Sequence, residues 1–319
     1  MPTPLARREF LGRMAAMTVV TATTRFAFGS SSSPFRVSVI NDEISQDFGH
    51  ACEVASKEFG MGWIELRSMW NKNVVSLDEK EVAETRRLLD KYQFKVTDIA
   101  SPLFKVDWPG APKSKYSEAK SFNASFTLAQ QDEVLDRAIE MAKAFDTDRV
   151  RCFDFWRLDD QSPYRNAIND KLRDAAAKAE KKGIILVLEN EPACNTATAS
   201  EAVKVLSAVP SRSFMLNWDP GNAAASSEIP YPDGYKLLPK DRIGHCHCKD
   251  TVKKDKGYDW APMGGGMIDW AGQFKALKRD GYHFAVSLET HWNGGGSPEE
   301  SSRKSWTGMK KLLQEAGAL

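Results

Sequence analysis

The sequence has little cysteine, almost no net charge and no long hydrophobic run after its first thirty residues. Five cysteines among 319 residues are few, and their odd number does not suit a disulfide framework. Forty-four basic and 43 acidic residues leave a net charge of +1, which argues against a nucleic-acid partner. No later run reaches the ~18 apolar residues of a membrane span, so no stable membrane anchor is expected. The 42% hydrophobic and 27% charged residues indicate a folded globular protein.

The N-terminal segment has the pattern of an export signal. Arg7, Arg8, Phe10 and Leu11 spell R-R-x-F-L, and a short apolar stretch without acidic residues follows. Twin arginines before such a stretch are typical of Tat signals. We therefore expect residues 1–33 to be a Tat-type export signal and linker. Residues 34–319 would then form one catalytic domain that works in the periplasm or outside the cell.

From residue 35 onward, short β-rich runs alternate with amphipathic helical segments. The predicted strands are 35–41, 63–67, 95–100, 149–155, 184–189, 214–218, 243–249 and 284–288. The predicted helices are 49–59, 78–92, 128–145, 164–182, 199–208, 268–279 and 298–315. Eight strands, seven of them followed by a helical segment, predict an α/β fold, a (β/α)8 TIM barrel, for which ~250 residues is usual. The alternative is a doubly wound open sheet, but no glycine-rich phosphate loop follows the first strand.

Four successive predicted strands end in side chains that bind metals. They are Glu189 at the end of strand five, Asp219 after strand six, His247 in strand seven and Glu289 after strand eight. The carboxyl ends of barrel strands meet at one rim, where active sites of this architecture lie. Three carboxylates and one imidazole suit Mn²⁺, with Mg²⁺ or Co²⁺ as alternatives, better than a structural zinc site. The sequence therefore predicts a divalent-metal centre.

The side chains of His245-Cys246-His247-Cys248 are expected to point alternately to the two faces of strand seven. Because side chains alternate along a strand, both histidines point to one face and both cysteines to the other. If the histidines face the lumen, the cysteines are packed thiols on the helix side. His247 lies nearer the rim and is the better ligand, whereas His245 is expected to be a hydrogen-bonded core histidine.

These residues resemble the sugar phosphate isomerase/epimerase group of the xylose isomerase-like TIM barrels, also called AP-endonuclease family 2. The resemblance rests on L-E-N at 188–190, W-D-P-G-N at 218–222, H-x-K-D at 247–250, G-x-G-x-x-D-W at 264–270 and L-E at 288–289. It implies that Glu189, Asp219, His247 and Glu289 are the metal ligands. It also implies that Glu189 and Glu289 act as catalytic acid and base. The DNA-repair branch has a histidine where this chain has Asn222, so a nuclease is not expected.

Further polar and aromatic residues are expected to contact the substrate. Lys249, two residues after His247, should also face the lumen and could polarise a substrate oxygen, although a rim salt bridge is the alternative. A long insertion at 101–126 is expected to be a functional loop at the rim. The predicted substrate-binding residues are Lys249, Glu65, Arg67, Arg151, Asn222, Trp108 and Trp292.

The resemblance implies a divalent-metal-dependent isomerase or epimerase that moves a proton next to a carbonyl through an enediolate. The expected substrate is a non-phosphorylated sugar or keto-sugar, and association into a homo-oligomer is open. One alternative is a lyase or hydratase that acts on 3-keto-glycosides with the same metal site. An alternative from another class is a non-catalytic carbohydrate-binding barrel.

Overall fold

The computed structural model describes residues 33–117 and 125–319. These residues belong to one compact unit. The predicted export signal and linker cover residues 1–33, of which 1–32 lie outside the described part of the chain, and they stay a prediction. None of the described helices combines the length and the hydropathy needed to cross a lipid bilayer.

Eight parallel strands form one sheet in the order β1-β8-β7-β6-β5-β4-β3-β2. Its two outer strands, β1 and β2, meet through a parallel bridge between Ile40 and Glu65, which brings the sheet round into a barrel. The prediction of a TIM barrel rather than an open sheet is confirmed. The strands are β1 Arg36–Val39, β2 Trp63–Leu66, β3 Lys95–Leu103, β4 Arg149–Cys152, β5 Ile185–Glu189, β6 Phe214–Trp218, β7 Ile243–Cys248 and β8 Ala285–Leu288.

Helices surround the barrel and cover its outer apolar face. Helix α2 shows how they begin, because the Asp78 side chain accepts the Lys80 and Glu81 N–H groups and Glu81 accepts the Asp78 N–H in return. Such a capping box satisfies donors that the first helical turn leaves without partners. The helices are α1 Phe48–Glu53, α2 Glu79–Tyr92, α3 Gln131–Ala144, α4 Arg165–Glu180, α5 Ala199–Ala208, α6 Pro220–Ala225, α7 Tyr235–Leu237, α8 Trp270–Arg279 and α9 Pro298–Glu315.

Side chains fill the barrel lumen along its length, and near the amino ends of the strands Arg149 donates from Nε to the Gly244 carbonyl. Near the amino ends, Gly244 leaves room for its neighbours, because an added Cβ would lie 2.9 Å from the Met215 Cβ and 3.0 Å from the Val187 Cγ1. Toward the carboxyl ends the lumen contains charged side chains. Cys246 and Cys248 point outward into the hydrophobic core, as alternation along β7 predicts. All five cysteines are buried free thiols.

Several element boundaries differ from the sequence-based prediction. The first predicted helix divides into α1 and a π-helical segment, Val54–Glu58. Strand β3 continues to Leu103, since Leu103 pairs with Cys152 and the Ser101 hydroxyl donates to the Arg151 carbonyl. Part of the predicted insertion is therefore strand. Elements that we did not predict are α6, α7 and two short hairpins, Ser68–Met69 with Lys72–Asn73 and Asp250–Lys253 with Tyr258–Ala261.

Candidate metal centre

The four predicted ligands come together at the carboxyl end of the barrel. Glu189, Asp219, His247 and Glu289 each offer one ligand atom, and these atoms all lie within 4.8 Å of one another. Parallel register explains the convergence, because Glu189 pairs with Asn217 in β6, and His247 pairs with Ser287 in β8. The residues are at most 2% exposed. Buried carboxylates are stable only when positive charges balance them, so this cluster requires cations nearby.

The imidazole of His247 lies at the centre of the cluster. Its Nδ1 atom is 3.1 Å from the Glu289 Oε2, 3.4 Å from the Glu189 Oε1 and 3.7 Å from the Asp219 Oδ2. This buried nitrogen nevertheless has no hydrogen-bond partner among the described residues. One nitrogen lone pair and three carboxylate oxygens around a common point are the donor set that a divalent cation of the Mn²⁺ or Mg²⁺ type accepts. The residues therefore fit a metal ion.

Local hydrogen bonds aim Asp219 at the cluster. Its Oδ1 accepts the Asn222 N–H and so caps helix α6, which leaves Oδ2 toward His247. Asn190 holds the backbone on either side, since its amide donates to the Asp219 carbonyl and its Oδ1 accepts the Asp219 N–H. Asn222 in turn donates to the Glu189 Oε1 at 3.1 Å. The W-D-P-G-N motif thus orients two of the four ligands.

Each of the two glutamates also contacts a buried arginine. Arg151 Nη1 lies 3.1 Å from the Glu189 Oε2, and Arg67 Nη1 lies 2.8 Å from the Glu289 Oε1. Lys249 is a third cation, with Nζ 2.8 Å from the Asp219 Oδ2 and 2.6 Å from the Glu289 Oε2. One guanidinium or ammonium group therefore accompanies each carboxylate.

These neighbours shift the pKa values of the cluster. Burial alone would raise the pKa of Glu189, but the positive charges of His247 and Arg151 lower it to about 2. Burial is likewise outweighed at Glu289, where Lys249, His291 and His247 hold the pKa well below its usual value. Burial would lower the pKa of His247, but the carboxylates of Glu65, Glu289 and Glu189 raise it well above its usual value. The protonated His247 ring therefore supplies positive charge at the point where a metal ion would bind.

Two other groups of metal-binding side chains adjoin this cluster. The first consists of Glu65, His245 and His247. A neutral imidazole has one lone pair and one N–H, so His247 cannot serve a cation at each nitrogen. We assign its Nδ1 to the metal centre, since three carboxylates face that atom.

The second group consists of Glu43, Glu289 and His291. Arg67 already bridges its two carboxylates, with Nη2 2.8 Å from the Glu43 Oε1 and Nη1 2.8 Å from the Glu289 Oε1. A second divalent cation there would be repelled by this guanidinium. The charges therefore favour a single metal ion.

The predicted substrate-binding residues fall into two sets. Each of five residues contacts at least one of the four predicted ligands directly: Glu65, Arg67, Arg151, Asn222 and Lys249. The tryptophans make their described ring contacts elsewhere. Trp108 lies edge-on against Phe155 at 4.7 Å, and Lys304 Nζ lies 5.6 Å from the Trp292 ring. A direct contact with substrate stays a prediction for all seven residues.

Sequence analysis missed two residues at the mouth of the site. The Trp260 ring lies 5.1 Å from the Lys249 Nζ and 5.4 Å from the His291 ring. His291 in turn lies 3.3 Å from the Glu289 Oε1. An alternating run that flanks Asp255-Lys256-Gly257 is a hairpin signal and could have indicated that Trp260 folds over the rim.

The fold and its rim cluster define a TIM barrel with a functional site at the carboxyl ends of the strands. The chain belongs to the xylose isomerase-like TIM barrel family, whose sequence profile matches residues 54–312. No curated protein matches the sequence.

Several solved structures share the fold. A probable 3-DHS dehydratase, AsbF, from Bacillus anthracis is 16% identical with a TM-score of 0.66, over 87% of this chain and 98% of that one. A D-tagatose 3-epimerase-like protein is 18% identical with a TM-score of 0.64, over 88% and 98%. The IOLI protein with a bound zinc atom is 17% identical with a TM-score of 0.65, over 88% and 98%. The chain spans 42% of the length of a fusion of a xylose isomerase-like TIM barrel with a 4-hydroxyphenylpyruvate dioxygenase.

Proposed function

We propose that this protein is a divalent-metal-dependent isomerase or epimerase that transfers a proton next to the carbonyl group of a non-phosphorylated sugar or keto-sugar. The observation that supports this proposal is the convergence of Glu189, Asp219 and Glu289 on the His247 Nδ1, which has no hydrogen-bond partner among the described residues. The epimerase-like and zinc-containing structures with the same fold agree with it. Mn²⁺ is the proposed metal, because three of the four ligands are carboxylates.

Glu189, Asp219, His247 and Glu289 would hold a divalent cation, whose positive charge would favour removal of a proton next to a carbonyl. Glu189 and Glu289 are the proposed acid and base. Each directs one oxygen to the metal centre and the other to an arginine. The oxygen beside the arginine keeps a second lone pair, which can take or return a proton. Return to the opposite face of the same carbon gives epimerisation, and return to the neighbouring carbon gives isomerisation.

Lys249 has a separate role in this proposal. Its ammonium lies against the carboxylates of Asp219 and Glu289, which keep its pKa above the usual value despite burial. Lys249 is therefore a fixed positive charge beside the proposed base. It can donate a hydrogen bond to a substrate oxygen on which negative charge develops.

Solvent exchange tests the proposed chemistry. A panel of sugars and keto-sugars is incubated with the Mn²⁺-loaded protein in D₂O, and deuterium at carbon next to the carbonyl is measured by NMR. We expect exchange with at least one substrate and its loss in Glu289→Gln, with an unchanged circular dichroism spectrum. No exchange across the panel would contradict the proposal and favour a carbohydrate-binding barrel. A β-elimination product from a 3-keto-glycoside would instead identify a lyase.

We also propose that residues 1–33 direct export through the Tat system, because of the R-R-x-F-L pattern at 7–11. The test is a fusion of residues 1–33 to a reporter that is active only when exported in its folded state. Replacement of Arg7 and Arg8 by lysine should abolish export. An equal signal from both fusions would contradict the proposal.

A further inference from the structure

One carboxylate, that of Glu65, contacts two imidazoles inside the barrel. Its Oε1 lies 3.0 Å from the His247 Nε2, and its Oε2 lies 2.9 Å from the His245 Nε2. All three residues are fully buried. The two imidazole rings stand nearly perpendicular, with centroids 5.3 Å apart, so each presents one edge to the same carboxylate.

This geometry determines where the protons of both histidines lie. An ionised carboxylate only accepts hydrogen bonds, so each of the two Nε2 atoms must be the donor. When an imidazole is neutral and carries its hydrogen on Nε2, its lone pair is on Nδ1. For His247 that atom faces Glu189, Asp219 and Glu289. The contact with Glu65 therefore presents the lone pair of His247 to the metal centre.

Asn217 lies beside the same edge of the His247 ring as Glu65. Its side-chain nitrogen lies 3.1 Å from the Nε2, while its Oδ1 has no hydrogen-bond partner among the described residues. Since the Nε2 carries a hydrogen, the Asn217 atom beside it should be an acceptor, which requires the amide oxygen and nitrogen to exchange places. The His247 edge would then lie between two acceptors, which hinders rotation of the ring.

We propose that Glu65 is a positioning residue for the metal centre: it holds the Nε2–H of His247, with His245 as its second donor, and so directs Nδ1 at the metal. The proposal rests on the proposed metal-dependent function. It assigns His245 a purpose as well, because a carboxylate anchored by a second histidine cannot turn away from the first. Hydrogen-bonded carboxylates of this kind fix the orientation of ligating histidines.

Metal affinity tests the proposal without any need for turnover. Mn²⁺ dissociation constants are measured by competition with a fluorescent chelator for the wild type, Glu65→Gln and Glu65→Ala. We expect Glu65→Ala to weaken binding by about 10- to 100-fold, the usual effect of losing such a partner. The affinity of Glu65→Gln should lie between those of the wild type and Glu65→Ala, because the glutamine amide keeps one acceptor for His247.

Asp98→Asn is the matched control. Asp98 is a fully buried acid on β3, and neither of its oxygens has a hydrogen-bond partner among the described residues. Burial and the charge of Glu65 raise its pKa to about 8, so the carboxyl is mostly protonated at neutral pH and the asparagine removes little charge. We expect unchanged Mn²⁺ affinity. A loss equal to that of Glu65→Gln would overturn the proposal, because it would show a general effect of lumen substitutions.

A spectroscopic measurement gives a second readout. In protein labelled with ¹⁵N-histidine and loaded with Zn²⁺, we expect both His245 and His247 as Nε2–H tautomers, with the His247 Nδ1 shifted by metal. In Glu65→Gln the environment of both Nε2–H protons should change. A His247 ring protonated at Nδ1, or unchanged affinities in both folded Glu65 variants, would overturn the positioning role. If Glu65→Ala does not fold, Glu65→Gln decides. Failure of the wild type to bind metal would instead overturn the proposed function itself.

Discussion

Arg151 and Glu189 form an ion pair inside the barrel, with Nη1 3.1 Å from Oε2 and side chains only 4% and 2% exposed. The same guanidinium donates to the Ala100 and Ser101 carbonyl groups, so its position is set by the end of β3. Glu189 is therefore oriented by a strand two positions away in the sheet. Its other oxygen is left for the metal centre.

Loss of this ion pair should destabilise the protein strongly. Arg151→Met removes one of the two positive charges, those of His247 and Arg151, that offset the burial of the Glu189 carboxylate. Removal of one partner of a buried pair costs about 3–5 kcal/mol. The measurement is the free energy of unfolding in urea. Arg212→Met is the control, since the exposed Arg212–Asp241 pair should contribute less than about 1 kcal/mol. Equal losses in the two variants would show that the buried pair is not oriented as described.

Metal binding should release a proton. The pKa of His247 is well above its usual 6.5 in the metal-free protein, so at neutral pH the imidazole is protonated and a cation must displace that proton. Affinity should therefore rise with pH and level off above the raised pKa. Calorimetric titration of Mn²⁺ in two buffers of different ionisation enthalpy measures the released protons. Binding without proton release at neutral pH would contradict this prediction.

The same shift affects the metal-free fold. A histidine whose folded-state pKa lies above its unfolded value stabilises the fold fully below about 6.5, and this stabilisation is lost as pH rises through the folded-state pKa. Metal-free protein should therefore lose stability between neutral and alkaline pH relative to the metal-loaded form. Thermal unfolding of both forms across that range measures the difference.

Lys249→Met should separate metal binding from chemistry. The substitution removes a positive charge that would repel a bound cation. Like charges ~4 Å apart repel by ~1 kcal/mol in water and by ~4 kcal/mol at an effective dielectric constant of ~20. We expect Mn²⁺ to bind about tenfold more tightly, while solvent exchange into the substrate slows. Lys254→Met, at an exposed lysine of the neighbouring hairpin, is the control. Weaker metal binding in Lys249→Met would show that the ammonium is needed to hold Asp219 and Glu289 in place.

The closing helix α9 should be sensitive to one methyl group. A Cβ at Gly308 would lie 1.7 Å from the Met263 carbonyl oxygen, so the helix or the loop before α8 must move. We expect Gly308→Ala to lower the free energy of unfolding by about 1–3 kcal/mol. At Gly62 no atom lies within 4 Å of an added Cβ, so Gly62→Ala should leave stability nearly unchanged. Equal stability of the two variants would contradict the close packing of α9.

The barrel strands could be predicted from sequence because their apolar runs are local signals. Strand β5 is nearly continuous in apolar residues, as a strand buried on both faces requires. The end of β3 could not be predicted, because it depends on the pairing of Leu103 with Cys152. The short helix α6 was missed as well, although Asp219-Pro220 is a helix-start signal.

The candidate ligands could be predicted because each follows a recognisable strand. The ion pairs around these ligands could not be predicted from sequence. Arg67 and Glu289 are 222 residues apart in sequence, and Arg151 and Glu189 are 38 apart. Only the closed barrel brings these pairs together. Glu65 is predicted to bind substrate as a polar residue on the second strand, but sequence cannot show that two histidines of β7 contact both of its oxygens.

A combined measurement of metal content and activity tests most directly the central claim, that the protein is a divalent-metal-dependent enzyme. The protein is purified without chelator, its metal is measured, and Mn²⁺ is then titrated while deuterium exchange into the substrate is followed. The account predicts one divalent ion per chain, exchange that rises in proportion to occupancy, and loss of both binding and exchange in a variant that replaces Glu289 and Asp219 by amides. Less than about half an ion per chain that added Mn²⁺ cannot restore, or exchange that is independent of metal, would contradict it.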